Sequence, residues 1–190
     1  MVIVGILALQ GAYEKHKIIL DRLSVKSKYI RYEKDLHDCD GLIIPGGEST
    51  TLSKMIEKNK LYKCLLSFIK NKAVLGTCAG LIMLSKIKNK HIKSFNIFDI
   101  EINRNGWGTQ INSFIKKIKL NGIDNNFINA IFIRAPRIKK INNKKISIMA
   151  SIDNEPVLIK YKNCLGATFH PELTNNYLIH KFFIRMINDK

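Results

Sequence analysis

The chain is 190 residues long, 46% apolar and 25% charged, with a formal net charge of +17. Such a length and apolar share suit one domain with a full core, and no apolar run reaches the roughly 18 residues of a membrane span. The four cysteines (Cys39, Cys64, Cys78, Cys164) form no C-x-x-C pair and no zinc spacing, which argues against a disulfide framework or a structural metal.

The positive charge is scattered among many Ile, Lys and Asn residues, with no RNA-binding signature and no aromatic–basic interleaving. It reads as a solvated surface that aids solubility, a bias that base composition of the coding DNA also produces. An acidic protein partner is the next reading. Neither a nucleic-acid nor a membrane partner is expected.

Val2–Leu9 is a near-continuous apolar run without a basic flank, and Gln10-Gly11 follows it. It reads as a strand buried on both faces and not as a signal peptide, so a cytoplasmic location is the expectation. Ala12–Leu23 has helical spacing, with Ile18, Ile19 and Leu23 on one side. Lys28–Arg31 suits a second strand, and Gly41–Pro45 a short buried one that ends at Gly46-Gly47. Thr50–Glu57 and Leu61–Ile69 read as helices, Ala73–Gly76 as a strand, and Leu81–Lys86 as the opening of another helix. Later strands are expected at Phe98–Ile102, Ala130–Ile133, Lys145–Ile152, Pro156–Tyr161 and Leu165–Phe169, with a closing helix over Asn175–Ile187. Asn121–Asn129 and Lys139–Lys145 read as polar turns. No linker or repeat divides the chain, so residues 1–190 form one domain. The alternation predicts an α/β fold: a three-layer, doubly wound, mostly parallel sheet with flanking helices.

Val74-Leu75-Gly76-Thr77-Cys78-Ala79-Gly80-Leu81 has the form strand, G-x-C-x-G, helix, the cysteine version of a nucleophile elbow. Gly76 and Gly80 remove side chains that would clash across the sharp turn. The helix start behind Cys78 favours a thiolate, and the Ala79 N–H is placed for an oxyanion. A buried cysteine in an ordinary βα turn is the plainer reading.

A thiol nucleophile needs a base, and the base needs an orienter. His170-Pro171-Glu172 follows the last strand, and in extended chain residues i and i+2 point the same way. Glu172 can then take one ring N–H of His170 and leave the other nitrogen for Cys78. A turn histidine with a helix-starting acid is the alternative. His16 is placed on the polar side of the first helix, His37 and His91 in polar turns and His180 in the last helix. All four read as structural or solvated.

Pro45-Gly46-Gly47-Glu48-Ser49-Thr50-Thr51 admits three readings. It is a phosphate cradle, though it lacks the Gly-Lys-Ser/Thr ending; a turn with Ser49 or Thr50 as helix N-cap; or an oxyanion loop whose Glu48 pairs with a substrate amine. The last is favoured because an acyl-transfer cysteine needs a second donor.

The segments Leu7–Ala12, Gly41–Thr51, Gly76–Leu81, Arg104-Asn105, Phe132–Pro136 and Phe169–Thr174 appear in family order from near the first residue to near the last. With these the chain resembles class I glutamine amidotransferases, and more specifically the glutaminase subunits of pyridoxal 5′-phosphate synthase. The cysteine and H-x-E pattern is shared across the class, whereas L-Q-G-A, G-G-E-S-T-T and F-I-R-A-P are specific to this branch. The resemblance implies that Cys78 attacks the side-chain amide of L-glutamine, that His170 moves the proton and that Glu172 orients it. It implies oxyanion N–H groups at Gly47 and Ala79. Gly47, Glu48, Ser49, Arg104, Ile133 and Arg134 would line the glutamine pocket, and Gln10 would meet the partner. That partner is a (β/α)8-barrel synthase subunit in a large hetero-oligomer, which takes the ammonia into a pyridine ring built from ribose 5-phosphate and glyceraldehyde 3-phosphate. Docking would reshape the oxyanion loop and raise a weak glutaminase activity. The chain itself needs no cofactor and no metal. It departs from the family at Gly106-Trp107-Gly108-Thr109-Gln110 and Asn112-Ser113-Phe114-Ile115, where two or three charged positions are lost.

Two readings stand beside this one. The chain is a class I glutaminase that serves a different synthase, such as that for imidazole glycerol phosphate, or its basic charge makes it a nucleic-acid-binding protein.

Overall fold

The computed structural model describes residues 1–104, 106, 113–122 and 127–189. The apolar run at the N-terminus becomes β1 (Ile3–Leu7), and α1 (Tyr13–Arg22), β2 (Lys26–Ile30) and β3 (Gly41–Ile44) follow. Next come α2 (Ser49–Lys58), α3 (Tyr62–Asn71), β4 (Ala73–Thr77) and α4 (Ala79–Leu84). The second half holds β5 (Ile100–Asn103), β6 (Ser113–Lys119), β7 (Phe127–Ile133), β8 (Arg137–Ile141), β9 (Ser147–Ile152), β10 (Glu155–Tyr161), β11 (Cys164–Ala167) and α5 (Leu178–Asn188).

Among the described residues a seven-stranded sheet runs in the order β2-β1-β3-β4-β11-β10-β9. The pairings from β2 through β11 are parallel, and β10 and β9 extend the sheet antiparallel. Every residue of β3, β4 and β11 is buried, as a parallel strand covered on both faces requires.

Side chains alternate between two cores. Leu42, Ile44 and Val74 face Leu52, Ile56, Leu65 and Ile69 of α2 and α3 and the apolar run of α4. Ile43, Ala73 and Leu75 face Leu20 of α1 and Ile179, Phe183 and Ile187 of α5. The layers are therefore helix, sheet, helix, doubly wound as the alternation predicts.

Two antiparallel ribbons lie outside the main sheet, β5–β8 and β6–β7. Sequence reading gave no strand at β6 or β8 and placed polar turns over parts of β7 and β8. Their lysines hid the pattern: Ile118 and Ile138 are the buried residues of these two strands, while the adjacent Lys116-Lys117 and Lys139-Lys140 are exposed and break the period-two alternation by which a half-buried strand is read. The inner face of α1 also differs from expectation. His16, Ile19 and Leu20 are its buried residues, and Ile18 is exposed.

The parallel arrangement sends the loops after β1, β3, β4 and β11 to one edge of the sheet. Those loops hold Gln10–Ala12, Gly46–Glu48, Cys78 and His170. In open α/β sheets this carboxyl edge is where sites are built.

Candidate active site

Cys78 sits at φ +47°, ψ −102°, between the end of β4 and the start of α4. That left-handed backbone costs a non-glycine residue about 1–3 kcal/mol, and surrounding contacts hold it there. Its N–H donates to the Ala167 carbonyl at 2.9 Å, and its own carbonyl accepts from Ile82 at 3.2 Å. A Cβ on Gly76 would lie 2.7 Å from the Gly80 carbonyl carbon, and one on Gly80 would collide with the Ile44 carbonyl oxygen. Both glycines are therefore required by close approach, as expected from the turn. Ala79 opens α4, so its N–H has no carbonyl one turn earlier.

His170 is anchored through its backbone N–H, which donates to Ile131 of β7 at 2.8 Å. Its Nδ1 meets Glu172 Oε1 at 2.7 Å. Glu172 reaches this position by a 3-10 turn over Pro171–Leu173 and not by extended chain; the two-residue spacing holds but the backbone route differs. Burial lowers the His170 pKa, yet hydrogen bonds with the Cys78 sulfur and with Glu172 outweigh it and lift the value to about 10. For Glu172 burial acts upward, and His16 and His170 beside it hold the carboxyl below its ordinary value. The result is the Cys78 sulfur, a His170 ring held in its protonated form near neutral pH and an ionised carboxylate in series, all buried.

His16 corrects the sequence reading, which placed it on the polar side of its helix, whereas His180 lies in the closing helix as expected. Both rings are wholly buried. His16 Nδ1 meets His180 Nε2 at 2.9 Å, and His16 Nε2 lies 3.3 Å from Thr77 Oγ1 and 3.5 Å from Glu172 Oε2. A signal was available: His16 stands three and four residues before the buried Ile19 and Leu20, and His180 three and seven before Phe183 and Ile187.

The loop after β3 is fastened by its neighbour after β1. Ala12 N–H donates to the Gly46 carbonyl at 3.0 Å, and Gln10 Nε2 to the Glu48 carbonyl at 3.1 Å. A Cβ on Gly47 would run into the Gln10 side chain. Across a trans peptide the N–H opposes the C=O, so the Gly47 N–H faces away from the Gln10–Ala12 turn.

Glu48, and neither Ser49 nor Thr50, caps α2. Its carboxylate accepts from Thr50 N at 3.1 Å and Thr51 N at 2.6 Å, from both threonine hydroxyls, and from Arg104 at 3.0 Å. Burial acts upward on its pKa, but the threonine hydrogen bonds outweigh this and bring it to about 2. The first-turn N–H groups thus already hold an anion, which removes the phosphate-cradle reading. The carboxylate is also engaged and not free to receive an amine.

Ser49 is buried in the first turn of α2. Ile133 ends β7 and is exposed, and Arg134 follows at φ +45°. β7 joins the site through the Ile131–His170 bond. Of the divergent segments, residues 107–110 and 112 lie outside the described residues, as do residues 105, 111 and 123–126 elsewhere in the chain. Gly106 is described, and its carbonyl accepts from Arg137 Nη1 at 3.1 Å. Among the described residues no Cys, His, Asp and Glu group has the arrangement of a metal site.

Comparison with known proteins places this architecture. A crystal structure described as a glutamine amidotransferase superposes with a TM-score of 0.91 at 31% identity, covering 97% of this chain and 98% of that one. The fold is thus that of the glutamine amidotransferases. The family model of the SNO glutamine amidotransferases matches residues 6–189, and the chain belongs to that family. Among curated relatives, the pyridoxal 5′-phosphate synthase subunit PdxT of Thermosipho africanus is 40% identical over 97% of this chain and 98% of its own. The protein of the same name from Francisella tularensis is 41% identical over 96% and 98%.

Proposed function

We infer that this chain is the glutaminase subunit of a pyridoxal 5′-phosphate synthase, with Cys78, His170 and Glu172 as its catalytic residues. The observation that carries the chemistry is the buried series of Cys78, the His170 ring and Glu172 at the carboxyl edge of the sheet, with a 2.7 Å contact between the last two. The pathway rests on near full-length likeness to relatives that carry that name.

Cys78 Sγ, deprotonated by His170, attacks the side-chain amide carbon of glutamine. The N–H groups of Ala79 and Gly47 receive the negative charge that develops on the amide oxygen. His170 returns the proton to the leaving nitrogen, so ammonia departs and a glutamyl thioester remains. His170 then takes a proton from water, which attacks the thioester; glutamate leaves and the thiol is restored. Glu172 keeps the His170 tautomer that serves both halves.

Arg104 and Arg134 supply cations for the carboxylate of the amino acid, and Glu48 holds Arg104 in place. Gly47, Ser49 and Ile133 complete the pocket wall. Gln10, whose amide braces the oxyanion loop, lies where a docking synthase barrel would act on that loop. The ammonia passes to that subunit within a cytoplasmic hetero-oligomer.

The pathway is tested with amide-15N glutamine, a pyridoxal 5′-phosphate synthase subunit, its sugar phosphates and excess unlabelled ammonium. The expected product carries 15N in its ring. Unlabelled product alongside steady glutamate release would assign the chain to a different synthase, the second reading, which the branch-specific L-Q-G-A, G-G-E-S-T-T and F-I-R-A-P segments disfavour.

A further inference from the structure

Glu172 uses Oε1 on His170, while its buried Oε2 makes no hydrogen bond among the described residues. The nitrogen that faces Oε2 is His16 Nε2, at 3.5 Å. His16 comes from α1, Thr77 from β4 and His180 from α5, so three elements converge behind a carboxylate that itself stands behind the base. The titratable groups that face His16 are Glu172, His170 and His180.

The 2.9 Å contact between His16 Nδ1 and His180 Nε2 needs one proton between the two nitrogens. In one arrangement His180 Nε2–H donates to His16 Nδ1, and His16 Nε2–H points toward Thr77 Oγ1 and Glu172 Oε2. In the other, His16 Nδ1–H donates to His180 Nε2. A lone pair on His16 Nε2 then confronts the carboxylate, and a proton sits on His180 Nδ1, a buried nitrogen with no partner among the described residues. An orphaned N–H and an opposed lone pair both cost free energy, so the first arrangement wins. Burial lowers the pKa of His16, which Glu172 only partly offsets, and burial together with His16 takes His180 well below its ordinary value. Both rings are therefore neutral, with one proton each.

We propose that His16, backed by His180, is a positioning residue for glutamine hydrolysis: its Nε2–H holds Glu172 Oε2, and this keeps Oε1 aimed at His170 Nδ1. The proposal rests on the glutaminase reading, but two of its tests do not need turnover.

The first is the ring 15N–1H correlation spectrum of the wild-type chain, with His16 and His180 assigned from His16→Gln and His180→Gln. Both rings are expected as Nε2–H tautomers; both as Nδ1–H overturns the proposal. The second is the rate of Cys78 alkylation by iodoacetamide near neutral pH, read by mass spectrometry. His16→Leu weakens the carboxylate that supports the His170 imidazolium, so alkylation slows at least severalfold, whereas His16→Gln keeps an N–H toward Oε2 and reacts at nearly the wild-type rate.

With the synthase subunit present, His16→Leu should lower kcat roughly tenfold to a hundredfold with KM for glutamine within about twofold, and His16→Gln should recover most of the loss. Equal losses in both variants, or a loss confined to KM, overturn the proposal. If the wild type releases no glutamate with any synthase, the glutaminase reading fails, and the spectrum and the alkylation rates still decide the role of His16.

Discussion

At the residue scale, Glu48 shows how one carboxylate fixes a loop. It caps α2, binds both threonine hydroxyls and holds Arg104. Its folded-state pKa of about 2 lies below the usual 4.5, so its contribution is present above pH 4.5 and is lost as pH falls through about 2. Glu48→Ala is expected to cost about 1 kcal/mol near neutral pH, the ordinary worth of an N-cap. In urea unfolding the deficit should stay level from about pH 7 to about pH 4.5 and shrink as pH falls from there toward about 2. A deficit independent of pH would mean that the charge plays no part. Cys78, His170 and Glu172 were legible in the sequence because each lies in a short segment whose neighbours explain it: glycines around the cysteine, and a two-residue step from base to acid. His16 and His180 were not, because their meaning arises only when α1 and α5 meet on one side of the sheet, 164 residues apart in sequence.

At the element scale, the elbow depends on the start of α4 lying hard against the end of β3. In a helix, glycine to alanine ordinarily stabilises by up to about 1 kcal/mol. Gly80→Ala should do the opposite, since its Cβ would occupy the place of the Ile44 carbonyl oxygen. Overpacking of this kind costs about 1–3 kcal/mol, and urea unfolding should show a loss of that order together with slower alkylation of Cys78. A neutral or stabilised variant would contradict the close approach. The central strands β1, β3 and β4 were legible because strands buried on both faces read as continuous apolar runs. The ribbon strands β6 and β8 were not, because each carries an Ile-Lys-Lys-Ile stretch whose adjacent exposed lysines break the alternation of a half-buried strand and resemble a polar turn.

At the scale of the whole molecule, the order of the parallel strands brings four chain-distant loops to one edge. It also allows the helices on the α1 and α5 face to supply a second layer of polar groups behind that edge. Surface charge follows a different logic. A net charge of +17 on 190 residues is self-repulsive, and salt screens that repulsion within a Debye length that falls from roughly 30 Å at 0.01 M to about 10 Å at 0.1 M. Calorimetry should therefore show Tm rising with ionic strength over this range. A falling Tm would mean that specific ion pairs, such as Arg104 with Glu48 or Arg137 with Glu155, outweigh the net repulsion. The measurement that bears most directly on the account is glutamate release from glutamine by the wild type and by Cys78→Ala, each with and without a pyridoxal 5′-phosphate synthase subunit. The account predicts wild-type release that rises when the synthase is added and no release from Cys78→Ala in either case. Undiminished release from Cys78→Ala, or none from the wild type with the synthase present, would contradict it.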